Sequence, residues 1–191
     1  MLNIVLFGPP GAGKGTQSQF VVDTFNLIHL STGDIFRRNI KEGTELGKLA
    51  QRYMNEGKLV PDEVTIQMLK AELLKVDDAP GFIFDGFPRT EAQAVALDDL
   101  LKEMNTSITA MIALEVPEEE LKMRLAERAK TSGRQDDADP AVIQKRIDVY
   151  NAETLPVKGY YERSGKYKGI NGVGAIEDVT RRLIEVIKTL S

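Results

Sequence analysis

Apolar residues recur along this chain in two alternating rhythms. Short runs such as Asn3 to Phe7 and Phe82 to Phe84 are almost unbroken by polar residues, the pattern of strands buried on both faces of a parallel sheet. Between them lie longer stretches whose apolar residues return at helical spacing. The pattern predicts strands at Asn3 to Phe7, Leu27 to Leu30, Phe82 to Asp85, Thr109 to Glu115 and, more weakly, Tyr167 to Asn171. It predicts a helix through Phe20, Val21 and Phe25, then helical sequence from Asp34 to Asn55 with a break near Gly43-Thr44. Further helices are expected from Pro61 to Val76, from Thr90 to Met104, from Pro117, from Pro140 and from Ile176 to Leu190. Pro at a first helical position and acids such as Asp62, Glu63 and Glu118 to Glu120 in a first turn suit helix starts. The Pro117 helix loses its pattern at Lys130-Thr131-Ser132-Gly133, and a polar stretch runs from there to Asp139.

Strands separated by helices imply an α/β fold, with right-handed crossovers and a parallel sheet covered by helices on both faces. No internal repeat or long linker divides the chain, so a single domain is expected. Two segments stand out as excursions from it: the helical stretch from Ser31 to Val60, and the polar, charged stretch from Arg128 to Asp137.

Composition narrows the class. The chain has 191 residues, 42% hydrophobic and 28% charged, ordinary for a globular domain with a sizeable core. No apolar run approaches membrane-spanning length. The start Met1-Leu2-Asn3-Ile4-Val5 lacks the progression of a secretion signal, so a cytoplasmic protein is expected. There is no Cys and one His, which leaves no Cys-based zinc site, no disulfide and no His-rich metal site. A net charge of −4 and no basic stripe give no sign of nucleic-acid binding.

The chemistry begins at Gly8-Pro9-Pro10-Gly11-Ala12-Gly13-Lys14-Gly15-Thr16, which follows the first strand and precedes a helix. Strand, loop and helix in that order are the context a phosphate-binding loop requires. The glycines allow successive N–H groups to point inward as an anion nest. The helix start adds unpaired donors and a partial positive charge. Lys14 supplies an ammonium for β- and γ-phosphates. Gly15 stands where Ser or Thr usually meets magnesium, so Thr16 takes that place or contacts the α-phosphate.

A second cluster follows the third strand. Asp85 ends that strand on the edge bordering the ligand crevice of a doubly wound sheet, where an acid can hold Mg²⁺ or serve as a turn carboxylate. Arg89 follows the rigid Pro88 outside any helical pattern and reads as a placed guanidinium. Arg124, Arg128, Arg134 and Arg146 punctuate the polar excursion and the helix after it. Singly, each is as well explained by a solvated pair with Glu127, Asp136 or Asp137. As a set beside Lys14 they suit phosphoryl transfer, which needs several cations around the equatorial oxygens. His29 reads as a packed, hydrogen-bonded histidine rather than a catalyst, and Met54, Met68, Met104 and Met123 as core gap-fillers.

These motifs together resemble the nucleoside monophosphate kinase family, and within it adenylate kinases of the short-lid type. The resemblance covers essentially the whole chain. Besides the loop it rests on Leu30-Ser31-Thr32-Gly33-Asp34-Ile35-Phe36-Arg37, on Gly57-Lys58-Leu59-Val60-Pro61-Asp62, on Asp85-Gly86-Phe87-Pro88-Arg89-Thr90 with Gln93, and on Thr131-Ser132-Gly133-Arg134-Gln135-Asp136-Asp137. It implies a P-loop kinase core with a five-stranded parallel sheet, an AMP-binding subdomain at 31–60 and a short lid at 127–137. It implies Mg-dependent transfer of a phosphoryl group from ATP to AMP, giving two ADP, by a monomer. Gly11, Ala12, Gly13, Lys14, Gly15 and Thr16, with Arg128 and the backbone of Gly174, would hold ATP. Thr32, Arg37, Lys58, Leu59, Val60, Gly86, Phe87, Pro88, Arg89 and Gln93 would form the AMP site. Arg37 and Arg89 would grip the AMP phosphate, while Thr32 and Gln93 would face the adenine. Arg134 and Arg146 would bridge the moving phosphoryl group, and Asp34 and Asp85 would position Mg²⁺ through water.

The spacing from Arg134 to Arg146 is one residue longer than the family pattern, which leaves Lys145 as a neighbouring alternative. Thr32 and Gln93 favour adenine over the pyrimidine of a UMP or CMP kinase, since pyrimidine-specific relatives tend to place Ala and Asn there. Gly86-Phe87-Pro88-Arg89 argues against a small-metabolite kinase such as one for shikimate. A non-catalytic ATP sensor is the remaining alternative.

Overall fold

The computed structural model describes residues 1–190, and the strands lie where the unbroken apolar runs place them. β1 (Leu2–Phe7), β2 (Ile28–Ser31), β3 (Gly81–Asp85), β4 (Ala110–Glu115) and β5 (Tyr167–Asn171) form one parallel sheet in the order β2-β3-β1-β4-β5. The sheet alternates its side chains between two cores. Val5, Phe7, Phe82, Phe84, Met111 and Ala113 face one side, and Ile4, Leu6, Ile83, Ile112 and Leu114 the other. Each inner strand is therefore apolar at consecutive positions, because both faces are dry. β5 is an edge strand with only Ile170 buried, which is why its pattern is weak.

Helices cover both faces. α4 (Asp62–Leu73), α5 (Glu91–Glu103) and α8 (Val157–Arg163) contribute Leu69, Leu97, Leu101 and Tyr161 to the first core. α1 (Lys14–Phe25), α6 (Glu118–Ser132) and α9 (Ile176–Lys188) contribute Val21, Leu121, Val179, Leu183 and Ile187 to the second. Local sequence fixes the helix ends. Ser31, Thr44, Thr90 and Asp139 cap the starts of α2 (Thr32–Glu42), α3 (Glu45–Asn55), α5 and α7 (Pro140–Val149), each accepting a backbone N–H. α2 and α3 carry a small apolar cluster of their own, in which Ile35, Phe36, Ala50 and Val60 meet Met68 of α4. They cross so closely that a Cβ on Gly47 would lie 2.2 Å from the Asn39 carbonyl oxygen.

Three departures from the expected pattern have local causes. α6 continues through Lys130 to Ser132 and stops at Gly133, which has φ 63°. Its last turn has no core to face, so it is helical without an apolar period; Lys130 pairs with Glu127 instead. Residues 127–137 are thus the end of α6 followed by a 3₁₀ turn, Gln135–Asp137. Beyond α7 the chain stays helical through a π-helical segment, Tyr150–Thr154, and into α8, neither of which the apolar pattern signals. Met123 is 62% exposed and fills no gap; it lies on the polar face of α6.

Candidate active site

The register carries the ends of three strands to one place. Asp85 pairs with Leu6 on one side and with Ser31 on the other, two residues before the loop that opens at Gly8. The loop turns tightly, with the Ala12 N–H donating to the Pro9 carbonyl at 3.1 Å. Gly11 has φ 84°, and a Cβ there would lie 2.9 Å from Leu125 Cγ of α6, so both conformation and space demand glycine. Gly13, with φ 94°, ends the loop as the residue before α1. Lys14 folds back across it, donating from Nζ to the carbonyls of Gly8 at 2.8 Å and Pro9 at 3.1 Å. Burial lowers the Lys14 pKa to about 8; Asp85 opposes this, while Arg89, Arg146 and Arg128 add to it.

The loop is one wall of a cleft of about 830 Å³. Opposite stands a wall built from β3, α5 and the start of α2. Thr32 Oγ1 donates to the Gly86 carbonyl at 2.8 Å, and Arg89 Nε donates to the same oxygen at 2.7 Å. The Phe87–Pro88 peptide is cis. Gln93 is buried; its Oε1 accepts from the Arg89 backbone N–H at 2.7 Å, and its Nε2 donates to Asp62 Oδ1 at 2.9 Å. Arg37 folds back along the first turn of α2 and pairs with Asp34.

The third wall is cationic. Arg128 of α6 donates from Nε and Nη2 to the two carboxylate oxygens of Asp137, at 2.6 and 2.9 Å. Arg146 of α7 donates from Nη1 to Asp137 Oδ1 at 2.7 Å and to the Asp136 carbonyl at 3.1 Å. Burial alone would raise the Asp137 pKa, but the bonds from Arg128 and Arg146 hold it below the usual carboxylate value. Burial lowers the Arg89 pKa to about 10, with Arg146 and Arg37 as further cations acting on it and Asp85 opposing. Burial also lowers that of Arg134, helped by Arg37 and Arg128. Six cations therefore feel one another across the cleft: Lys14, Arg37, Arg89, Arg128, Arg134 and Arg146. An anion with several charges is the ligand such a site suits.

The family model described as adenylate kinase matches residues 6–166 of this chain. The chain belongs to the adenylate kinase family. It is similar to an adenylate kinase of Flavobacterium psychrophilum, 56% identical over 190 residues that span the whole of both chains. Those of Flavobacterium johnsoniae and Bacteroides fragilis are 54% and 50% identical, again over the whole of both chains. Membership makes the chain a phosphotransferase.

As a member of this family, the chain brings every candidate site residue named from its sequence to the one cleft. Arg146 is among the lining residues, whereas Lys145 is exposed to solvent. Lys58 is exposed and its amine pairs with Glu56, while Val60 is buried. His29 is packed as expected, with Nε2 at 3.4 Å from Asp85 Oδ2. Despite burial, His29, Lys14 and Arg89 hold the Asp85 pKa below its usual value, so Asp85 presents a carboxylate to the cleft. Among the described residues no group of three or more His, Cys, Asp and Glu is placed to hold a metal.

The lining also includes one cation that the sequence had singled out, Arg124, and two residues that carried no signal there, Tyr150 and Thr154. Arg124 pairs with Glu120 at 2.9 Å and donates to the Gly172 carbonyl at 3.0 Å, fastening α6 to the turn after β5. Tyr150 and Thr154 reach the cleft from the π-helical segment, where Tyr150 packs its ring 5.7 Å from that of Phe7. Asp62 was legible as a first-turn acid and as the last residue of the 57–62 motif, with no role of its own.

Proposed function

We propose that this chain transfers the γ-phosphoryl group of ATP to AMP, reversibly and with Mg²⁺, giving two ADP and so balancing the adenine nucleotides. The observation that carries the proposal is the single cleft in which the Lys14 loop faces the Thr32–Gly86–Gln93 wall across six cations. Gly11 to Thr16 with Arg128 and Gly174 would hold ATP. Thr32, Arg37, Lys58 to Val60, Gly86 to Arg89 and Gln93 would hold AMP. The small apolar cluster of α2 and α3 supports treating 31–60 as an AMP-binding subdomain, and the Arg-rich end of α6 supports a lid at 127–137.

In the transfer, an AMP phosphate oxygen forms a bond to the γ-phosphorus while the bond to the β–γ bridging oxygen breaks. That oxygen leaves on ADP. The attacking phosphate is already anionic near neutral pH, so this chain needs no strong base. Lys14, Arg89, Arg134 and Arg146 would hold the charge spread over the equatorial oxygens, and donors fixed before the reaction make that effective. Closing the cleft keeps out water, a competing nucleophile. Mg²⁺ would neutralise and orient the ATP phosphates. The Asp85 carboxylate is the group best fitted to hold it; Asp34, whose carboxylate Arg37 takes, would act only through water. The proposal includes a monomer working in the cytoplasm, where both nucleotides are found.

A coupled assay with Mg·ATP and each of AMP, CMP, UMP, GMP and shikimate tests this reading. Fast ADP formation with AMP alone is expected. Turnover of CMP or UMP in preference to AMP overturns the acceptor, and none with any acceptor makes the chain a nucleotide sensor.

A further inference from the structure

Gln93 is the one buried side-chain amide that lines the AMP wall, and it is held at both ends. Its Oε1 accepts from the Arg89 backbone N–H, a group that can only donate. Its Nε2 donates to Asp62, a carboxylate that can only accept. Asp62 is itself fixed, because the same Oδ1 accepts from Thr90 Oγ1 at 2.9 Å. Rotating the amide by half a turn would set oxygen against carboxylate oxygen and NH₂ against N–H. Each atom keeps one bonding position, an N–H on nitrogen and a lone pair on oxygen.

The order of those two positions matters to a purine. A 6-amino purine presents an acceptor at N1 beside a donor at the 6-amino group. A 6-oxo purine presents a donor at N1 beside an acceptor at O6. An amide free to turn serves either edge; a locked one serves one. We propose that Asp62, from the first turn of α4, is a positioning residue that sets base specificity by locking the Gln93 amide in the orientation for 6-amino purines. The proposal rests on the AMP reading of this wall. Asp62 lies behind Gln93 and acts on the base only through it.

The test compares kcat/KM for AMP and for IMP, which differs at the 6-position and N1, in the native chain and in Asp62→Asn. An Asn side chain can present either an oxygen or an NH₂, so the Asp62 end of the lock is released without a change of size, and only the Arg89 N–H still opposes rotation. The AMP-to-IMP ratio is expected to fall about tenfold or more, since a site built to hydrogen-bond one edge otherwise rejects its inverse strongly. The KM for ATP should not move. In a Gln93→Leu background the Asp62 substitution should leave the ratio unchanged. Should Asp62→Asn not fold, Asp62→Ser serves in its place. An unchanged ratio in the folded variant, with only a raised KM for AMP, makes Asp62 a structural residue and overturns the proposal. Failure of the native chain to turn over AMP overturns the function itself, and the lock with it; the two failures appear in different proteins.

Discussion

At the free site, Lys14 carries its ammonium against Gly8 and Pro9 carbonyls rather than against a counter-anion. Burial therefore dominates, and the pKa falls from the ordinary 10.5 to about 8. The sign of the consequence is fixed: between those two values the folded chain binds fewer protons than the unfolded one. Stability from this group thus rises with pH through that window and is lowest below it. A bound polyphosphate restores a counter-charge and raises the pKa again. ATP binding at pH 9 should accordingly take up about one proton per site, and almost none below pH 7. Calorimetry in buffers of different ionisation enthalpy reads this directly. Lys14→Met should abolish the uptake, and equal uptake in the variant assigns the proton elsewhere.

Two glycines between residues 31 and 60 separate backbone strain from contact between elements. Gly43 and Gly57 share almost the same φ, 69° and 70°. A Cβ on Gly43 would meet nothing within 4 Å, whereas one on Gly57 would lie 3.1 Å from the Val142 carbonyl oxygen and 3.2 Å from Arg146 Cγ. Gly43→Ala and Gly57→Ala should lower stability alike, by about 1–2 kcal/mol. Only Gly57→Ala should also disturb Arg146, cutting kcat by about tenfold, because small misplacements of catalytic groups are costly. Thermal melts paired with steady-state kinetics decide it, and equal kinetics in the two variants remove any link between this turn and α7. The element scale also shows what a sequence displays. β1 and β3 were legible because two dry faces leave almost no polar positions, Asn3 and Asp85 being the exceptions, and the loop because its glycines are demanded by φ and by Leu125. The last turn of α6 was not, since a helix without a core has no apolar period. Asp62 was hidden for a different reason: its partner Gln93 lies 31 residues away, and only the fold joins them.

The whole molecule is acidic, with net charge −4, yet its cleft gathers six cations, and burial together with the fields of the neighbouring arginines lowers the pKa values of Lys14, Arg89 and Arg134. This repulsion is built into the free protein and relieved by any small polyanion that fits. Pyrophosphate at ten times its Kd should stabilise the fold by about 1.4 kcal/mol. That amounts to a rise in Tm of roughly 3–6 °C for a chain of this size. Sodium chloride at the same ionic strength should give much less. Equal shifts from the two salts would mean that general screening, not site occupancy, is at work.

Asp137 gives this cationic wall a further property. One carboxylate on the 3₁₀ turn grips Arg128 from α6 and Arg146 from α7. Two arginine side chains of the wall thus share a single anchor and lose their independent rotations when the chain folds. Ordering a flexible side chain on binding costs about 0.5–1.5 kcal/mol. For these two that entropy is already gone before any nucleotide arrives, and a ligand reaching one guanidinium finds the other in place.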